Sequence, residues 1–190
     1  MIDLSRSALI LVDIQNDFLP GGALAVPDGD SILESVNAIA RHPFRAVIAT
    51  QDWHPSQHCS FSTQGGPWPV HCVAGTHGAD FPQTLLPGPV THIIRKGVLQ
   101  ERDSYSGFLD NDRATSTGLD GLLKGLDVEH VVICGLALDY CVTATALDAV
   151  QCGYRTEVVP EACRGMAPEP GDALKKLEKQ GVLLKNLNTF

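Results

Sequence analysis

The sequence predicts an α/β fold, a three-layer α/β/α sandwich around a mostly parallel six-stranded sheet. Three observations carry that expectation. Short β-branched apolar runs recur at wide intervals. The runs are continuous rather than alternating, as in strands covered on both faces. Helical stretches lie between them, so the connections read as right-handed crossovers.

The runs are ALILVDI (8–14), AVIAT (46–50), HIIR (92–95), HVVIC (130–134), RTEVV (155–159) and VLLK (182–185). Helices are expected at SILESVNAIARH (31–42), DYCVTATALDAVQC (139–152) and DALKKLEKQG (172–181). In the first of these, apolar residues at 32, 33, 36, 39 and 40 share one helical face. The exception is 51–91, a stretch dense in Gly, Pro and His that is too long for a simple connection and so reads as functional.

With 190 residues, the chain is expected to form one domain over 1–190 with a sizeable core. Apolar residues at 44% and charged residues at 19% are ordinary globular values. A net charge of -8 argues against nucleic-acid or anionic-membrane partners, both of which need clustered Lys and Arg. No apolar run is long enough for a spanning helix. The start MIDLSRSALILVDIQ has no basic n-region and no small-residue cleavage site, so a cytoplasmic location is expected. Oligomeric state is left open, a homo-oligomer included. The six cysteines (59, 72, 134, 141, 152, 163) contain no CxxC pair, so they are expected as reduced thiols rather than a disulfide framework, zinc ribbon or redox centre.

In open parallel sheets, ligands bind beyond the carboxyl ends of the strands. The reactive residues sit there: Asp13 ends the first run, Asp52 and His54 follow the second, Lys96 the third and Cys141 the fourth. Cys141 lies in a strand–turn–helix segment where Asp139 is a candidate N-cap, and a helix start would lower the thiol pKa. The competing reading is a small buried apolar residue, the reading adopted for Cys134. Asp13 follows an apolar strand and so must be paired, capping, metal-bound or catalytic, unless it is simply solvated. Lys96 alone is weak, but a thiol needs a base, and a lysine can orient the carboxylate that serves as one.

Asp52 and His54 alternate along an extended segment, and His71 could close a three-ligand site with open positions; His58 is a further candidate ligand. A closed Cys/His site using Cys59 and Cys72 is the rival, but its usual paired close spacings are absent. Individually, each His is more often a hydrogen-bonding loop residue.

Taken together, LVDIQNDF, TQDWHPSQHCSF, WPVHC, RKG and GLALDYCVTATALDA resemble the nicotinamidase branch of the isochorismatase-like cysteine hydrolases, in order from residue 8 to about 163. The resemblance implies that family's Rossmann-like topology and a catalytic set of Asp13, Lys96 and Cys141. It further implies metal ligands Asp52, His54 and His71, with His58 matching a position that ligates in some members. A cis peptide would join Leu136 and Ala137, and the oxyanion hole would use the N–H groups of Ala137 and Cys141. Phe18, Trp68 and Tyr105 would wall the pyridine ring. Leu138 departs from the Thr common at that position.

The implied activity is hydrolysis of nicotinamide, and of pyrazinamide, through a Cys thioester, serving NAD salvage. One divalent ion is implied, Zn²⁺ first, with Fe²⁺ or Mn²⁺ suited to the same donors. Two alternatives stay open: a related amidase for another small carboxamide or carbamoyl compound, and a non-catalytic metal-binding module. A thiol redox protein fits less well.

Overall fold

The computed structural model describes residues 3–85 and 88–189; the expected loop region 51–91 therefore includes two positions outside the described residues. Six strands form one sheet: β1 (Ser7–Val12), β2 (Ala46–Asp52), β3 (His92–Lys96), β4 (His130–Leu136), β5 (Arg155–Arg164) and β6 (Leu183–Leu184). Their spatial order is β3-β2-β1-β4-β5-β6, and every pairing is parallel. The sheet is thus wholly rather than mostly parallel.

Every residue of β1, β2 and β4 is buried, which is why those runs are unbroken in apolar character. β3 alternates instead, with Ile93 half exposed, because it is an edge strand. The helices are α1 (Leu33–Ala40), α2 (Leu119–Gly125), α3 (Thr143–Gln151) and α4 (Gly171–Lys179). The connection through α1 runs one way across the sheet, and those through α3 and α4 run the other. Right-handed crossovers place them on opposite faces, giving the three layers.

Two elements differ from the sequence expectation. β5 runs to Arg164 rather than 159, because a bulge absorbs Pro160: Ile133 pairs with Val158, but Gly135 pairs with Cys163. α2 was not expected, since Gly118, Gly121 and Gly125 depress its propensity; burial of Leu119 and Leu123 overrides that. No helix among the described residues is long and apolar enough to cross a membrane.

Candidate active site and metal centre

Because the sheet is parallel, every strand delivers its carboxyl end to one edge, and the register there is specific. Asp52 and Lys96 are direct partners at the ends of β2 and β3, so their side chains start at the same height. Lys96 Nζ lies 2.5 Å from Asp52 Oδ1 and 2.9 Å from Asp13 Oδ2. It also donates to the Ser104 carbonyl at 2.8 Å and reaches Cys141 Sγ at 3.6 Å. A fully buried lysine surrounded by two carboxylates and a thiol is the electrostatic centre of this edge.

Asp13 sits just past β1 in the left-handed region, at φ 49°. Its Oδ1 accepts from the Thr50 hydroxyl at 2.6 Å, and Thr50 Oγ1 in turn accepts from the Asp13 amide at 3.1 Å. Oδ2 has the Lys96 charge beside it but no conventional hydrogen bond, so it remains open to a proton. Burial raises the Asp13 pKa against the opposing pull of Lys96. Lys96 is held well above its usual value: burial opposes the charge, but Asp13 and Asp52 overcome it.

Cys141 lies in a π-helical turn, Leu138–Val142, that opens into α3. Two expectations are corrected there. Asp139 does not cap the helix; its carboxylate instead accepts from the amides of Met166 at 2.9 Å and Ala167 at 2.8 Å. Nor does the helix start leave Cys141 with a depressed pKa. Burial pushes the thiol well up, and Lys96 only partly counters it. Burial thus outweighs any lowering by the helix end. The peptide joining Leu136 and Ala137 is cis.

Asp52, His54 and His71 place one donor atom each within 4.8 Å of one another. The two imidazoles are oriented through their other nitrogens: His54 Nδ1 bonds the Gly97 carbonyl at 2.9 Å, and His71 Nδ1 bonds that of Pro69 at 2.7 Å. With Nδ1 donating, Nε2 carries the lone pair. His54 Nε2 is buried without a hydrogen-bond partner, a cost that a bound cation would remove. The donor set therefore fits a divalent ion. Lys96 and His54 hold Asp52 ionised and well below the usual carboxylate range despite burial.

His58 stacks on His54 at 4.0 Å, but both its nitrogens are engaged, with Ser60 Oγ at 2.7 Å and the Arg102 carbonyl at 2.9 Å. It shares a second donor cluster with His54 and Asp103. Cys59 and Cys72 are free thiols.

Of these groups, Asp52, His71 and Cys141 line a pocket with about 450 Å³ of non-atom space, its open mouth included. Phe18, Trp68, Tyr105 and Ala137 line the same pocket. The sequence reading missed Leu24, Val26, Tyr140 and Met166 in the same wall. Tyr140 could have been found from its place beside Cys141. Met166 was hidden by the early end assigned to β5. Gln15 was missed too. It is fully buried and clamps the Asp52 backbone, donating to its carbonyl at 2.8 Å and accepting from its amide at 2.8 Å, while also donating to the Ala79 carbonyl at 2.9 Å.

The chain is similar to several known proteins over nearly its full length. The chain is 41% identical over 184 residues to the nicotinamidase of Escherichia coli, covering 87% of this chain and 86% of that one. PnC1 from L. infantum, solved in complex with nicotinate, superposes with a TM-score of 0.95 at 40% identity, over 98% and 96% of the two chains. The pyrazinamidase of Pyrococcus horikoshii, solved in complex with zinc, gives 0.87 at 42%, over 95% and 99%. The isochorismatase domain model matches residues 7–184, the whole span from the start of β1 to the end of β6, and the chain belongs to the isochorismatase family.

Proposed function

We propose that this protein, acting as one domain, hydrolyses nicotinamide to nicotinate and ammonia, accepts pyrazinamide as well, and serves pyridine-nucleotide salvage in the cytoplasm. The observation that carries the reading is the Lys96 ammonium, which touches both the Asp13/Cys141 pair and the metal-donor residue Asp52. A cysteine nucleophile and a cation site are thereby fixed relative to each other in a single pocket. The nicotinamidase and pyrazinamidase relatives support the substrate.

The chemistry follows from the side chains. Asp13, made more basic by burial, takes the Cys141 proton, and the thiolate attacks the carboxamide carbon. The N–H groups of Ala137 and Cys141 face the developing oxyanion; loss of one such donor typically costs on the order of 10²–10³ in rate. Protonated Asp13 then passes its proton to the departing ammonia, leaving a thioester. Asp13 next deprotonates a water that attacks the thioester, and the proton returns to the sulfur as nicotinate forms. Lys96 keeps Asp13 oriented through both halves. Asp52, His54 and His71 would hold a divalent ion, Zn²⁺ first given the zinc-bound neighbour, which supplies a Lewis-acid anchor for the ring nitrogen. His58 is assigned a supporting place behind His54.

Ammonia release from nicotinamide tests the assignment. Cys141→Ala should abolish it while leaving the circular-dichroism spectrum unchanged; retained activity overturns the nucleophile. A non-catalytic metal-binding module would instead show no amide hydrolysis in the unaltered protein.

A further inference from the structure

The floor and the rim of the pocket are built differently. Cys141, Asp52, His71, Phe18 and Val26 are buried and form the floor. Trp68, Tyr105, Tyr140, Leu24 and Met166 are partly exposed and form the rim. The aromatic part of that rim is locked. Trp68 Nε1 donates to the Tyr105 hydroxyl at 3.2 Å. Tyr140 meets Trp68 edge-on at 5.2 Å and Tyr105 at 5.7 Å.

Met166 is made another way. It follows the end of β5, in a segment whose backbone is held by a single side chain: Asp139 accepts from Met166 N–H and Ala167 N–H with one oxygen each. A Cβ at Gly165 would stand 2.9 Å from Asp139 Oδ1, so this segment lies close against the carboxylate. Asp139 is two residues from Cys141, in the same turn. The Met166 backbone is therefore fixed to the nucleophile's turn, while its side chain packs against the core from the rim and, being unbranched, repacks more readily than a branched one.

We propose that Met166 is the adaptable lip that sets which ring substituents the pocket admits, and that Asp139 is the positioning residue that holds this lip against the nucleophile's turn. The inference rests on the nicotinamide reading and names the specificity determinant of that same site. One carbon more or less in an apolar pocket is worth about 10–200-fold in specificity, so shortening this side chain has a measurable consequence.

The experiment compares kcat/KM for nicotinamide with that for its 4-, 5- and 6-methyl derivatives, using metal-loaded protein. Met166→Ala should raise the methylated-to-parent ratio for at least one derivative by about 10-fold or more. The branched Met166→Ile should lower that ratio. Asp139→Asn, which leaves one of the two amides without an acceptor, should shift the ratio in the same direction as Met166→Ala. A merely structural Asp139 would lower both rates and leave the ratio unchanged, and that result overturns its positioning role. Unchanged ratios in both Met166 variants, with nicotinamide still hydrolysed, overturn the lip while sparing the reaction assignment. An unaltered protein that releases no ammonia from nicotinamide overturns both.

Discussion

Lys96 holds two carboxylates and a thiol within reach of one ammonium, so its removal tests how far charge balance organises the site. Lys96→Met keeps most of the volume but leaves the buried Asp13 and Asp52 without their shared cation. Breaking a buried pair by deleting one partner typically costs about 3–5 kcal/mol. A loss of that order in urea denaturation is expected, together with loss of ammonia release; a loss below about 1 kcal/mol, the range of exposed pairs, would show that the ammonium is dispensable to folding. Gly97, the next residue, makes a sharper case. Its φ is +60°, and a Cβ there would stand 2.5 Å from His54 Cε1, on the imidazole whose Nδ1 bonds the Gly97 carbonyl. Gly97→Ala should therefore displace His54 and lower the bound metal per chain, read by elemental analysis. Metal content equal to that of the unaltered protein would mean that His54 is not held from this side. The sequence pointed to Lys96 through its strand end. Gly97 falls within the RKG segment that resembles the family, but the sequence assigned it no role, because that role depends on a ring forty-three positions away.

At the level of elements, the end of the sheet opposite the pocket carries its own buried polar cluster. His130, the first residue of β4, lies 3.5 Å from Glu157 Oε1 on β5 and 3.3 Å from Ser7 Oγ on β1. Arg155 and Lys185 approach the same glutamate at 3.7 and 3.4 Å. Burial pushes the His130 pKa below its usual value, against the attraction of Glu157. As pH falls, the unfolded chain therefore takes up the proton first. Stability is greatest above the unfolded value of about 6.5 and is lost as pH falls from there toward the lower folded value. His130→Gln should flatten the stability profile below that value relative to the unaltered protein, read as urea midpoints across the pH series; parallel profiles would exclude His130 as the titrating group. Legibility also varies by element. β1, β2 and β4 were readable because burial on both faces leaves an unbroken apolar run. β5 was cut short because Pro160 sits in a bulge that only the pairing with β4 explains. α2 was invisible because its glycines are tolerated only through the burial of Leu119 and Leu123.

For the whole molecule, an all-parallel sheet brings residues as distant in sequence as Asp13 and Cys141 to one edge without any local signal linking them. That is why a rule about strand ends gathered Asp13, Asp52, Lys96 and Cys141, yet overlooked Met166 once the fifth strand was ended early. The same architecture separates what holds the fold from what holds the metal. The core is the sheet and its flanking helices; of the three donors, only Asp52 belongs to it, as the last residue of β2, whereas His54 and His71 stand in the loop after β2. Removing metal should therefore leave the sheet intact. We expect chelated, dialysed protein to keep its far-ultraviolet circular-dichroism spectrum and to lose hydrolysis of nicotinamide, with activity returning on addition of Zn²⁺. Its thermal midpoint should rise with added Zn²⁺, because a ligand bound only by the native state stabilises it by about 2.7 kcal/mol at a hundred times its Kd. Benzamide separates anchoring from structure. It lacks the ring nitrogen, so it should be a poor substrate for the metal-loaded protein and should respond little to chelation. Equal turnover of benzamide and nicotinamide would show that the ion does not position the ring, and collapse of the spectrum on chelation would show that it holds the fold instead.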